Sequence, residues 1–182
     1  MKTLTPMSDA PTASTASPTP AATTTGQPNL VLAAPFRAHV THLMQTAQVP
    51  WPAVAYQAGV PAATVRTLVL GRNGRLRSKI DYQWAVRLLE LRTEDLSWMR
   101  RCHISAERSG ARIRLLRGDG ASWEVIGEAL SLPVEDCQAL ARGERTSCST
   151  LVDILAQSAC QSHNLRLDWE WELPGFVTER RE

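Results

Sequence analysis

The stretch VPWPAVAYQAGVPAATVRTLVLG, residues 49–71, decides how this chain is read. Trp51 opens a short helix with Val54 and Ala55 facing inward, and Gly59 breaks it. Val60 and Pro61 turn the chain, Val65 and Leu68 anchor a second helix, and Gly71 ends that helix. Seventy-two positions later, ASWEVIGEALSLPVEDCQALARG (residues 121–143) repeats the pattern. Trp123, Ile126, Gly127, Leu130, Ser131, Leu132, Pro133, Cys137, Leu140 and Gly143 fall on matching places. A repeated pattern is far less probable by chance than a single one. Two short helices joined by a tight turn at this spacing form a helix-turn-helix, a unit that lays its second helix in the DNA major groove.

Outward from these repeats, the expected fold class is all-α, with two tandem four-helix helix-turn-helix domains. Phe36, Val40, Leu43, Met44 and Ala47 mark an amphipathic first helix, and Pro50 and Pro52 suit the first turn of the next. A helix from about Ser78, its expected N-cap, to Arg92 carries Ile80, Trp84, Leu88 and Leu91. The second copy repeats the plan. Its helices are expected at about Ala106 to Arg117, from Trp123 with Ser122 as cap, Val134 to Arg142, and Ser149 to Gln161.

These elements divide the chain into a basic domain at 31–92, a connector at 93–105 and a degenerate second domain at 106–161. The connector, with Leu96, Trp98, Met99 and Ile104, is too apolar for a free linker. Residues 1–30 are dominated by Thr, Ala, Pro and Ser and bury too little surface to offset the entropy of ordering, so a disordered arm is expected there. The 162–182 tail alternates apolar and charged from Leu165 to Leu173, as an extended segment with one buried face does. It either folds back across the helices or pairs with the same segment of a second subunit.

Net charge is +2, but its distribution is uneven. Residues 31–92 hold eight Arg or Lys against Asp81 and Glu90, whereas residues 104–161 hold six Arg against eight acids. Phosphate neutralisation supplies much of DNA affinity, which places binding in the first half. With Val65 and Leu68 buried, Ala62, Ala63, Arg66 and Thr67 are the side chains expected to face base edges. Arg66 suits a guanine, and Ala63 and Thr67 suit a thymine methyl. Arg72, Arg75, Arg77 and Lys79 follow within eight residues, to grip phosphates or to place an arginine in the minor groove.

At the same seventy-two-residue shift, Arg66 becomes Gln138, Ala63 becomes Glu135, and Arg75 and Arg77 become Ser147 and Ser149. The second copy thus keeps the scaffold and loses most of the basic surface. Only Gln138, Arg142 and Arg145 are left there as second DNA contacts, and a scaffolding or partner-binding role is favoured.

The string from Trp51 to Arg72 resembles the helix-turn-helix units of small actinobacterial and actinophage DNA-binding regulators, in which a Gly-Arg-rich loop often follows the recognition helix, as Gly71-Arg72-Asn73-Gly74-Arg75 does here. The Ala/Thr/Pro-rich start and the preference for Arg over Lys are similar to those of proteins from high-GC genomes. The resemblance covers residues 36–92 well, 106–160 weakly and the tail not at all. It implies a sequence-specific transcriptional regulator of double-stranded DNA, first of all a repressor.

The main rival is a protein-interaction adaptor or anti-repressor, docking on the transcription machinery through the second domain and Trp169 and Trp171. An enzyme is the weakest reading. His39 and His42 lack a carboxylate or cysteine at a useful interval, and no P-loop, Gly-x-Ser-x-Gly or His-Glu-x-x-His occurs. No cofactor or metal is expected. Cys102, Cys137, Cys148 and Cys160 form no closely spaced pair, and Cys160 with His163 lacks a second pair of ligands. No secretory signal or membrane span is apparent, so a cytoplasmic, nucleoid-associated protein is expected.

Overall fold

The computed structural model describes residues 29–167. The arm before Asn29 and the tail beyond Leu167, with Trp169 and Trp171, lie outside the described residues. Within them the protein is mostly helical, as expected from the apolar periodicity, with two short two-stranded sheets that the periodicity did not foretell.

The first half runs β1 (Leu30–Leu32), α1 (Ala34–Ala47), α2 (Trp51–Ala58), α3 (Ala62–Val69), β2 (Lys79–Asp81), α4 (Tyr82–Glu90) and α5 (Thr93–Arg101). The second runs β3 (His103–Ser105), α6 (Glu107–Gly118), α7 (Trp123–Leu130), α8 (Val134–Arg142), β4 (Ser147–Ser149) and α9 (Thr150–Ser162). Each half therefore repeats the order strand, three helices, strand, helix, with α5 inserted between them.

The repeat is carried by matched registers. Leu30 pairs with Asp81, Val31 with Ile80 and Leu32 with Lys79, all antiparallel. His103, Ile104 and Ser105 pair in the same way with Ser149, Cys148 and Ser147. The turns correspond too. Gly59 sits in the left-handed region at φ 60°, and Ser131 holds the matching place at φ 54° without glycine's freedom.

Three expectations are corrected. Residues 78–81 are not the start of a helix. β1 takes the backbone of Lys79 to Asp81, so α4 begins at Tyr82, with Asp81 rather than Ser78 as cap; its Oδ1 accepts from the Gln83 amide at 2.8 Å. Ile80 is buried as expected, but from a strand. The segment 93–105, expected as an apolar connector, carries a helix of its own and packs against both halves. It contributes Leu96 and Met99, fully buried in the first core through α5, and then the first strand of the second half. Finally, the offset of seventy-two does not hold throughout. It separates Trp51 from Trp123 and Ala62 from Val134, but only sixty-eight positions separate Lys79 from Ser147. Ser147 and Ser149 therefore match Lys79 and Asp81, not Arg75 and Arg77. The segment between α3 and β2 carries four residues that the second half lacks.

Two apolar cores result. The first gathers Val40, Leu43, Val54, Val65, Leu68, Ile80, Leu88, Leu96 and Met99; the second gathers Ile113, Leu116, Ile126, Leu130, Cys137, Leu140, Leu155 and Ala156. Helix α9 joins them, because Ile154 belongs to the first core while Val152, Leu155, Ala156 and Cys160 belong to the second. Leu165 packs on the second core as the chain leaves α9, and Leu167 is buried.

Candidate nucleic-acid interface

Helix α3 buries Val65 and Leu68 completely, which turns Ala63 and Arg66 to solvent. Thr67 is half-buried, and its hydroxyl donates to the Thr64 carbonyl at 3.0 Å. Ala62 departs from the expectation. It packs against the first core and is only partly accessible, because the turn at Pro61 brings the first residue of α3 over α2. The outward face at the start of α3 is thus Ala63, Arg66 and, in part, Thr67.

Beyond α3 the chain forms a tight hairpin. Arg72 and Arg75 exchange both backbone hydrogen bonds, at 2.9 and 3.0 Å. Asn73 and Gly74 between them have φ of 51° and 74°, the two positive values that a type I′ turn requires. Gly71, at φ 77°, roots this hairpin on the end of α3. A Cβ there would lie 2.7 Å from the Arg75 carbonyl oxygen, so only glycine fits. Arg72, Arg75 and Lys79 are exposed, and Arg77 is half-buried with its Nε donating to the Lys79 carbonyl at 2.8 Å.

Two basic residues counted in the first half's charge have structural work instead. Arg37 on α1 donates from Nε to the Leu68 carbonyl at 2.8 Å and from Nη2 to the Arg77 carbonyl at 2.6 Å. It ties the end of α3 to the far side of the hairpin loop. Arg87 donates to the Gly59 carbonyl at 2.9 Å, with its guanidinium 5.1 Å from the centre of the Trp84 ring. Neither role has a local sequence signal, since both partners are backbone carbonyls far along the chain. The Asn73-Gly74 dipeptide, by contrast, is a legible hairpin signal. Among the described residues no ion pair engages Arg66, Arg72, Arg75 or Lys79.

The second half inverts this electrostatic picture. Arg142 makes a bidentate pair with Glu144, at 2.5 and 3.0 Å, and Arg145 pairs with Asp136. The Arg142 contact holds the Glu144 carboxyl below its ordinary value. Glu135 and Asp136 occupy the first turn of α8, where acids favour the helix dipole but oppose a phosphate. Gln138 is half-buried and lines an open groove of about 490 Å³ with Arg114, Arg117, Trp123, Ala141 and Arg142. Arg117 lies 4.7 Å over the Trp123 ring.

Several other polar residues of the second half pair with one another across the fold. Arg112 and Asp153 form an ion pair at 2.7 Å with only 5% and 16% of their side chains accessible. Ser109 donates to the same Asp153 oxygen at 2.8 Å. His163 bonds Asp119 through Nδ1 at 2.7 Å, while Cys160 Sγ contacts the Arg112 carbonyl in the second core. These two side chains therefore point to different partners. Among the described residues no group of three or more His, Cys, Asp or Glu is placed to hold a metal. His42 is exposed, but His39 turns inward, with its Nε2 buried and without a hydrogen-bond partner among the described residues. No helix among the described residues is long and apolar enough to cross a membrane.

No family model matches the chain, and neither a curated protein nor a solved structure is detectably similar to it.

Proposed function

We propose that this protein is a non-enzymatic, sequence-specific binder of double-stranded DNA that regulates transcription, first of all as a repressor. In this reading each half carries a helix-turn-helix, α2–α3 and α7–α8, and α3 is the helix that enters the major groove. Arg66, Ala63 and Thr67 read base edges, while Arg72, Arg75, Arg77 and Lys79 meet the backbone or the adjoining groove.

The observation that carries the reading is the difference between two copies of one scaffold. The copy with an outward Arg66 and a cationic hairpin engages none of those cations in an ion pair among the described residues. The other copy neutralises Arg142 and Arg145 with its own acids. Cations outside any ion pair among the described residues beside one helix, and cations paired with acids beside its duplicate, are what an anionic partner for the first half requires. The same cancellation favours a protein-docking or scaffolding role for the second half, on the transcription machinery or on a second copy of the chain. Gln138, Arg142 and Arg145 then contribute little to DNA binding.

Selection by the full chain from a random duplex pool, with binding repeated across a salt series, tests the proposal. The expected result is an enriched motif and an affinity that falls as salt rises, by a slope close to one per phosphate neutralised. Arg66→Ala should relax one position of the motif, whereas Arg142→Ala should leave motif and slope unchanged. A full chain that binds no duplex at any salt would overturn the proposal and leave the adaptor.

A further inference from the structure

We infer that the Arg72–Arg75 hairpin is a minor-groove reader that makes the protein select A·T-rich sequence beside the site read by α3. The inference rests on the proposed placement of α3 in the major groove and adds a second element of sequence choice.

Four observations converge on this hairpin. It is the four-residue excess of the first half over the second, so the fold closes without it. Its backbone is closed: Arg72 and Arg75 exchange paired backbone hydrogen bonds around an Asn-Gly turn with the φ values that turn needs. Gly71 seats it on the end of α3, and Arg37 fastens its far side through the Arg77 carbonyl. Its tip carries two exposed arginines and no acid.

Dimensions then choose the groove. The two-strand tip, about 5 Å between chain centres and wider with its atoms, stays outside a minor groove about 6 Å wide, and only the exposed side chains of Arg72 and Arg75 reach into it. From its first turn on the base edges, α3 rises roughly 12 Å to Gly71, comparable to the width of the major groove. A hairpin projecting from that end, with α3 so placed, reaches past the bounding phosphate strand towards the neighbouring minor groove. A·T-rich DNA narrows that groove and deepens its negative potential, which attracts arginine in particular. It also lacks the guanine amino group that would obstruct a guanidinium at the groove floor.

The test holds the selected core motif constant in short duplexes and changes only the flank facing the hairpin: A·T, G·C, or inosine·cytosine. An inosine·cytosine pair keeps the G·C major-groove edge and removes the minor-groove amino group. The full chain is expected to bind A·T and inosine·cytosine flanks about tenfold more tightly than G·C flanks. Arg72→Ala with Arg75→Ala should abolish that preference while the core motif is still recognised. Both side chains are exposed, so an unchanged melting temperature is the expected control. Arg72→Lys with Arg75→Lys keeps the charge and should lose most of the preference, because ammonium is a more strongly hydrated point charge.

Equal binding to all three flanks, or a preference that survives the alanine pair, would overturn the hairpin's role and leave DNA binding by α3 standing. Inosine·cytosine behaving like G·C would also overturn it, since the preference would then come from the major groove. Absence of binding to every duplex would overturn both readings together.

Discussion

Asp153→Ala should destabilise the protein by about 3–5 kcal/mol, the usual consequence of removing one member of a buried ion pair. The size follows from the burial. Arg112 is 5% accessible and Asp153 16%, so solvent screens the pair little. Asp153 also accepts from Ser109 at 2.8 Å, so its loss removes the acceptor of a second buried group. The first half shows that the scaffold does not need the charges. Counting along the aligned helices, His39 stands where Arg112 does and Ala85 where Asp153 does, and Ala85 is fully packed. Arg112→Met with Asp153→Ala should therefore cost less than Asp153→Ala alone, by about 1–3 kcal/mol, because no guanidinium is left buried without its carboxylate. Urea unfolding followed by far-UV circular dichroism measures both. With a slope of about 2 kcal/mol per molar, Asp153→Ala should lower the midpoint by roughly 2 M. A loss under about 1 kcal/mol, or a double variant less stable than Asp153→Ala, would refute the argument that this network is held by charge compensation.

Ser131→Gly should stabilise the protein by about 0.5–1 kcal/mol in the same assay, because φ of 54° strains any residue with a Cβ. Gly59→Ala should cost about 1 kcal/mol for that reason alone, since the nearest atom to its new Cβ is Arg87 Nη1 at an ordinary 3.5 Å. Ile154→Ala should cost about 2–4 kcal/mol and leave one unfolding transition, since Ile154 fills the first core from a helix of the second; two separated transitions would contradict this coupling. Burial pushes the Cys137 and Cys148 thiols up, so at neutral pH only the exposed Cys102 should react promptly with a thiol reagent, and all four only after unfolding. Because those two values are raised in the folded state, their contribution to stability is fully present below the ordinary thiol value. It is lost as pH rises through the raised ones, which an alkaline urea series would detect.

Local pattern made much of this molecule legible. Periodic apolar residues placed α1, α2, α3, α6, α7 and α8 within a residue or two, and Ser122 caps as expected. The exposed Arg66 was likewise readable, since burying Val65 and Leu68 fixes which face of α3 points out, and Arg72, Arg75 and Lys79 follow in the basic segment after it. Helical spacing misled where a strand imitated it, and the segment expected as a connector hid α5. Ile80 stands four residues before Trp84, so a buried strand position passed for the first turn of a helix.

What the sequence by itself determined is therefore most of the helices, from local periodicity, together with the duplicated plan and the asymmetry of charge, which are read by counting along the chain; α5 was not among them. Tertiary structure decided the rest. Pairing of β1 with β2 joins residues about fifty positions apart, and it exposed the four-residue excess that a constant offset hides. It also decided which charges are free. Arg37 and Arg87 are bound to distant carbonyls, and Arg145 is held by Asp136. A charge count cannot anticipate such partners, because hydrogen-bond acceptors on the backbone carry no mark in the sequence until the fold brings them within reach.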